Sequence, residues 1–155
     1  MKTVGARPMK AASPEKLGLV DALVQLSFLV QSILATVAAT HHLSLVQVRL
    51  LGILRDRTPG MLELALALDL DKSSVTGLID RAERRGLVKR SFSQEDRRAV
   101  FVSLTAAGRT LAETFSKRVK QELGLATAGL SEAWRERLAT IASQVIADAA
   151  RRPER

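Results

Sequence analysis

The chain has 155 residues, 46% of them hydrophobic, no cysteine and a formal net charge of +8. Such a length and apolar content support one folded unit with a real core rather than global disorder, and the missing cysteines exclude disulfides, thiolate metal centres and thiol redox switches. The charge is uneven: +3 over residues 1–12, −2 over 13–71, +4 over 72–101, +1 over 102–150 and +2 over 151–155, so an internal segment, and not the tails alone, marks the chain for a polyanionic partner.

Residues 1–12 lack periodicity and read as a basic arm. A first helix is expected from Ser13 as cap, with Pro14 and Glu15 in the first turn, to about Thr40. Its apolar residues from Leu19 to Val37 fall on nearly every face, the mark of a helix buried all round. Asp21, Gln25, Ser27, Gln31, Ser32 and Thr36 interrupt the run, which argues against a membrane span. In so short a chain one side of this helix is expected to face its own core and another a second subunit. The missing cysteines fit a cytoplasmic protein, and no signal-peptide pattern is read at the N-terminus.

Ser44 and Gln47 stand three apart as a capping box for a second helix ending near Arg55. Pro59-Gly60 is a turn, and a short third helix spans Met61–Leu68 without an evident Ser, Thr or Asp cap. Asp71 caps a fourth helix, in which Val75, Leu78, Ile79 and Ala82 form the buried stripe. Gly86, after Arg84-Arg85, stops it. Leu87–Phe92 and Ala99–Leu104 then switch to β-branched and aromatic residues around a polar stretch, Ser93–Arg98, and read as a hairpin with a charged tip. Thr105 caps a fifth helix with a Leu111, Phe115, Val119, Leu123 ladder. Ser131 caps a sixth with a Trp134, Leu138, Ile141, Val145, Ile146 stripe.

A short helix, a turn, a helix with a polar outer face and a basic hairpin suit duplex DNA. The major groove admits one α-helix, whose N-terminal residues reach base edges. Burial of its stripe leaves the fourth helix with Lys72, Ser73, Ser74, Thr76, Gly77, Asp80, Arg81 and Arg84 outward. The hydroxyls suit bases or phosphates, the arginines suit phosphate or guanine, and Gly77 allows close backbone approach but supplies no side chain. An arginine on the hairpin tip suits the adjacent minor groove.

Asp71–Arg81 with Glu83–Val88, followed by Asp96-Arg97-Arg98 and Val102–Gly108, resembles the MarR family of multiple-antibiotic-resistance regulators over roughly Ser44–Gly108. The resemblance implies a mostly α fold with a small β-hairpin wing: a winged helix-turn-helix region at 44–104 between N- and C-terminal dimerisation helices at 13–40 and 105–150. Residues 13–150 form a single unit, with a basic tail at 151–155. It implies a homodimeric repressor on a pseudo-palindromic operator of double-stranded DNA, released by a small-molecule effector, commonly a phenolic anion. Ser73, Ser74, Thr76 and Arg81 match recognition-helix positions that touch DNA. Asp96 matches the brace of the wing and Arg98 the residue that enters the minor groove, leaving Arg97 for phosphate. Strand alternation gives the two arginines different tasks without itself saying which takes the groove. Asp69 stands where the family often has Gly, so a left-handed turn that Asp tolerates is expected there.

Effector-binding candidates are Arg49, His41 and His42. Neither a cofactor, a metal nor a membrane is expected as a partner. The two adjacent histidines leave a metal-responsive regulator of the same fold as an alternative, and a non-catalytic protein-interaction module is another. No P-loop, dinucleotide fingerprint or zinc-protease motif supports an enzyme.

Overall fold

The computed structural model describes residues 17–92 and 99–151. In chain order these form α1 (Leu19–Thr40), α2 (Leu45–Asp56), α3 (Met61–Leu68), α4 (Lys72–Arg84), β1 (Val88–Phe92), β2 (Val100–Leu104), α5 (Ala106–Ala126) and α6 (Glu132–Ala150). The two strands are antiparallel, with Val88 opposite Leu104 and Phe92 opposite Val100. The Val102 amide donates to Pro59 O, and Gly60 bridges Phe101, so the turn before α3 lies along β2.

Local chemistry explains most boundaries. Ser44 accepts from the Gln47 amide while Gln47 accepts from the Ser44 amide, the expected capping box. Asp71, Thr105 and Ser131 likewise cap α4, α5 and α6 through the amides of Ser74, Gly108 and Trp134. The cap of α3 is one that a search for Ser, Thr or Asp misses: the Glu63 carboxylate reaches back to the Gly60 amide, 2.8 Å away. Asp69 ends α3 in the left-handed region at φ 54°, ψ 51°, as its place in the turn required. Gly86 has φ 68° and ends the turn after α4.

Helix α1 departs from expectation. It starts at Leu19 with Gly18 as an extended N-cap that has no side-chain bond. The Gly18 backbone, poorly disposed to helix, sets the start. Ser13, Pro14 and Glu15, assigned to the first turn from sequence, lie outside the described residues.

One core joins α2, α3, α4, the hairpin, the end of α1 and the start of α5. Leu50, Leu64, Leu68, Val75, Leu78, Ile79, Val88 and Val102 are its most enclosed side chains, and the α4 stripe is buried throughout. Each such side chain contributes roughly 1.5–3 kcal/mol. Outside this core the burial stops. Of α1 only Val37 and Ala38 are buried, whereas Leu19, Leu23, Leu26, Phe28 and Leu29 are exposed. The single chain therefore does not enclose α1 as its composition suggests. The α6 stripe of Trp134, Leu138, Ile141, Val145 and Ile146 is exposed too, and α6 has no buried residue. By length and composition α1 is apolar enough to cross a membrane, with a mean hydropathy of 1.8.

Candidate nucleic-acid interface

The N-cap of α4 organises its outer face. The Asp71 carboxylate accepts from Ser73 Oγ (2.5 Å), Ser74 Oγ (2.6 Å) and the Ser74 amide (2.9 Å). The Ser73 hydroxyl, then the Ser74 hydroxyl and amide, hold this carboxyl well below the usual carboxylate range. A depressed folded pKa means that its capping contribution is present above the ordinary carboxylate pKa and is lost only as pH falls through the folded value, in strong acid. Thr76 Oγ1 donates to Lys72 O at 2.8 Å, back along the helix.

Lys72, Ser73, Ser74, Thr76, Arg81 and Arg84 are exposed on α4 and Gly77 is half-buried among them. Ser73, Ser74, Gly77 and Arg81 line one shallow depression of about 350 Å³ with Val46 and Leu70. A Cβ at Gly77 would come within 3.3 Å of Arg81 Nη1, so the absent side chain leaves that guanidinium its place. The sequence-predicted residues of α4 thus share one open surface. Asp96, Arg97 and Arg98 lie outside the described residues, which end at Phe92 on one side of the hairpin and resume at Ala99 on the other.

Two arginines overlooked in the sequence fix α4 in place. Arg85 donates to His42 O (2.9 Å) and His41 O (3.1 Å), which fastens the end of α4 to the α1–α2 connection. His42 itself is left-handed at φ 52°. Arg90, on β1, pairs with both Asp80 and Glu83 of α4. Partial burial works against its charge, but the hydrogen bonds and charges of the two carboxylates outweigh that and leave the guanidinium more basic than usual. The partners are ten and seven residues away in sequence, and on another element. Their acidic spacing of three on one helix was the only local hint.

The effector candidates separate. Arg49 donates to Ala67 O at 3.3 Å and lines a cavity of about 530 Å³ with Gln31, Leu34, Leu45, Val46 and Leu68–Leu70. His41 and His42 lie instead at the α1–α2 connection, their carbonyls engaged by Arg85. Among the described residues no three His, Cys, Asp or Glu side chains converge as a metal-binding group.

A helix-turn-helix followed by a two-stranded hairpin, with the polar face of the second helix open, is the winged-helix arrangement. Residues 43–100 match the MarR family model. Its sequence is 42% identical over 64 residues to the uncharacterized HTH-type transcriptional regulator YfiV of Bacillus subtilis (strain 168), a match spanning 41% of this chain and 40% of that protein. The crystal structure of NadR in complex with 4-hydroxyphenylacetate shares the fold at 24% identity, with a TM-score of 0.73 over 94% of this chain and 100% of that one. BpsR of Bordetella bronchiseptica, whose DNA binding is regulated by 6-hydroxynicotinic acid, is 26% identical with a TM-score of 0.67, covering 83% of this chain and 92% of its own.

Proposed function

We propose that this chain is a cytoplasmic homodimeric regulator that represses transcription by binding a pseudo-palindromic operator through α4 and the hairpin tip. The observation that carries this reading is the open outer face of α4, where Lys72, Ser73, Ser74, Thr76, Arg81 and Arg84 are exposed above a fully buried stripe. Residue types on that face match a groove-reading helix: short hydroxyls at the N-terminal end, cations at both ends and a glycine between them. Arg97 and Arg98 belong to the reading as phosphate and minor-groove contacts, with Asp96 as the brace. The apolar faces of α1 and α6 call for a second copy, which presents two recognition helices to the two half-sites.

Release by a small molecule is part of the same proposal. The Arg49 cavity sits against the Asp69–Leu70 turn that leads into α4, so an occupant there bears on recognition-helix placement. Arg49 among mostly aliphatic walls, with Asp69 the one acid of the lining, offers a cation to a small aromatic acid, the chemistry shared by the compounds named for NadR and BpsR.

The test is a selection for bound duplexes, followed by titration of the best sequence. Affinity is expected to fall steeply as salt rises, through counterion release. Arg98→Ala is expected to weaken operator binding by about 1–3 kcal/mol at fixed salt. Equal affinity for the variant would remove the wing from the proposal, and failure to retain any duplex would remove DNA binding itself.

A further inference from the structure

The outer face of α4 carries acids where a polyanion has to approach. At about 100° per residue, Asp80 points within about 40° of Ser73, Thr76 and Arg84, in the middle of the face assigned to DNA, and Glu83 flanks it. Unmasked, both carboxylates would repel phosphates and offset Arg81 and Arg84. Arg90 reaches across from β1 and engages them together: Nη2 to Asp80 Oδ1, Nη1 to Glu83 Oε2, and its backbone amide to Glu83 Oε1 at 3.3 Å. Its side chain is 22% exposed, against 47% for Asp80 and 41% for Glu83, so the cation is the more sheltered member of the group. Ion pairs this open to solvent add little to folding stability. Their effect is on the field that the helix presents.

Resting on the DNA-binding reading above, we propose that Arg90 is a charge-masking residue of the recognition surface: it engages Asp80 and Glu83 together and offsets one of their two negative charges, so that the outer face of α4 meets DNA with a stronger positive field. The guanidinium fork suits the task because it holds two carboxylates at once, which a lysine ammonium does not do with fixed geometry. The masking is independent of base sequence and acts on any duplex.

The experiment uses a mixed-sequence DNA duplex as probe, in fluorescence-anisotropy titrations at one fixed, low salt concentration. Arg90→Met is expected to weaken binding about tenfold relative to the unmodified chain. Asp80→Asn with Glu83→Gln and Arg90→Met together is expected to recover to within about threefold, since no carboxylate remains to be masked. Asp80→Asn with Glu83→Gln alone, Arg90 being retained, is expected to bind a few-fold tighter than the unmodified chain. This double variant also serves where Arg90→Met fails to fold. Unchanged affinity in Arg90→Met, failure of the triple variant to recover while its helical spectrum is intact, or no gain in the double variant would each overturn the masking. An unmodified chain that retains no duplex would instead refute the DNA-binding reading, and the masking with it.

Discussion

Ile141→Glu is expected to abolish the proposed dimer while leaving the winged region folded. Ile141 is 62% exposed on α6, in the stripe formed with Trp134, Leu138 and Val145. No buried residue of α6 ties that helix to its own core. Along α1, Leu19, Leu23, Leu26, Phe28 and Leu29 are exposed as well, so two long helices of one chain present apolar faces that the described residues do not cover. Exposed apolar faces of this kind mark an association site, and a symmetric pair would bury both copies of both faces. A glutamate within such an interface carries an uncompensated charge costing about 3–5 kcal/mol. Two-fold symmetry presents it twice, so the dissociation constant is expected to rise by roughly four to seven orders of magnitude. Trp134 is the only tryptophan in the chain and lies in the same stripe, with the Arg137 guanidinium 5.4 Å from its ring centroid. Its emission reports the association directly: a dilution series should show a red shift at far higher concentration for Ile141→Glu than for the unmodified chain. Ser143→Glu, on the opposite side of α6 by helical phase, should leave the transition unmoved. A variant that sediments as the unmodified chain does would place the interface elsewhere.

That α6 stripe shows where sequence reading works and where it stops. Periodicity identifies which residues of a helix share an apolar face, and for α4 the four expected residues are all buried. It does not say whose core receives the face: the equally clear stripe of α6 is exposed in the single chain. Caps were legible where the signal is local, as in Ser44 with Gln47 or Asp71 with Ser74. Glu63 was missed because it caps from the third helical position, behind a glycine. The left-handed turn at Asp69 was legible because few residues tolerate that conformation. The two fastenings of α4 were not legible in the same way. Arg85 reaches carbonyls 43 and 44 residues away, and Arg90 finds acids on another element. Both contacts exist only after α4, β1 and the end of α1 have docked, and no periodicity encodes them. Of the candidate site, the α4 residues gather on one open face, whereas the effector candidates divide between a cavity at Arg49 and a connection at His41 and His42.

Gly108→Ala is expected to be the most damaging single methyl in the winged region. Gly108 is buried in the first turn of α5, where the chain leaves the hairpin, and a Cβ there would lie 1.9 Å from Leu87 O and 2.8 Å from Leu87 C. Both are backbone atoms, and they are held by several bonds at once. The Thr105 amide donates to Leu87 O at 3.0 Å, Thr105 Oγ1 donates to Gly86 O at 2.6 Å, and the Gly108 amide returns to Thr105 Oγ1 at 3.0 Å. Leu87 cannot retreat without breaking the turn that Gly86 closes, so α5 has to move away from β1. Overpacking a rigid site costs about 1–3 kcal/mol and sometimes more; the upper end is expected here, lowering the melting temperature by roughly 10 °C. Gly52→Ala, in α2 with nothing within 4 Å of the added carbon, is the matched control. It should raise stability by about 0.5–1 kcal/mol, because alanine loses less backbone entropy in a helix. Calorimetry on the two variants separates the cost of the clash from the general preference of helices for alanine. Equal melting temperatures for Gly108→Ala and the unmodified chain would mean that α5 is not seated on the Gly86–Leu87 turn. The same displacement links stability to recognition, since α5 leads to α6 and the apolar stripe, while the Gly86–Leu87 turn is the end of α4. Any movement at this joint changes the angle between the helix proposed to read DNA and the helices proposed to join two copies.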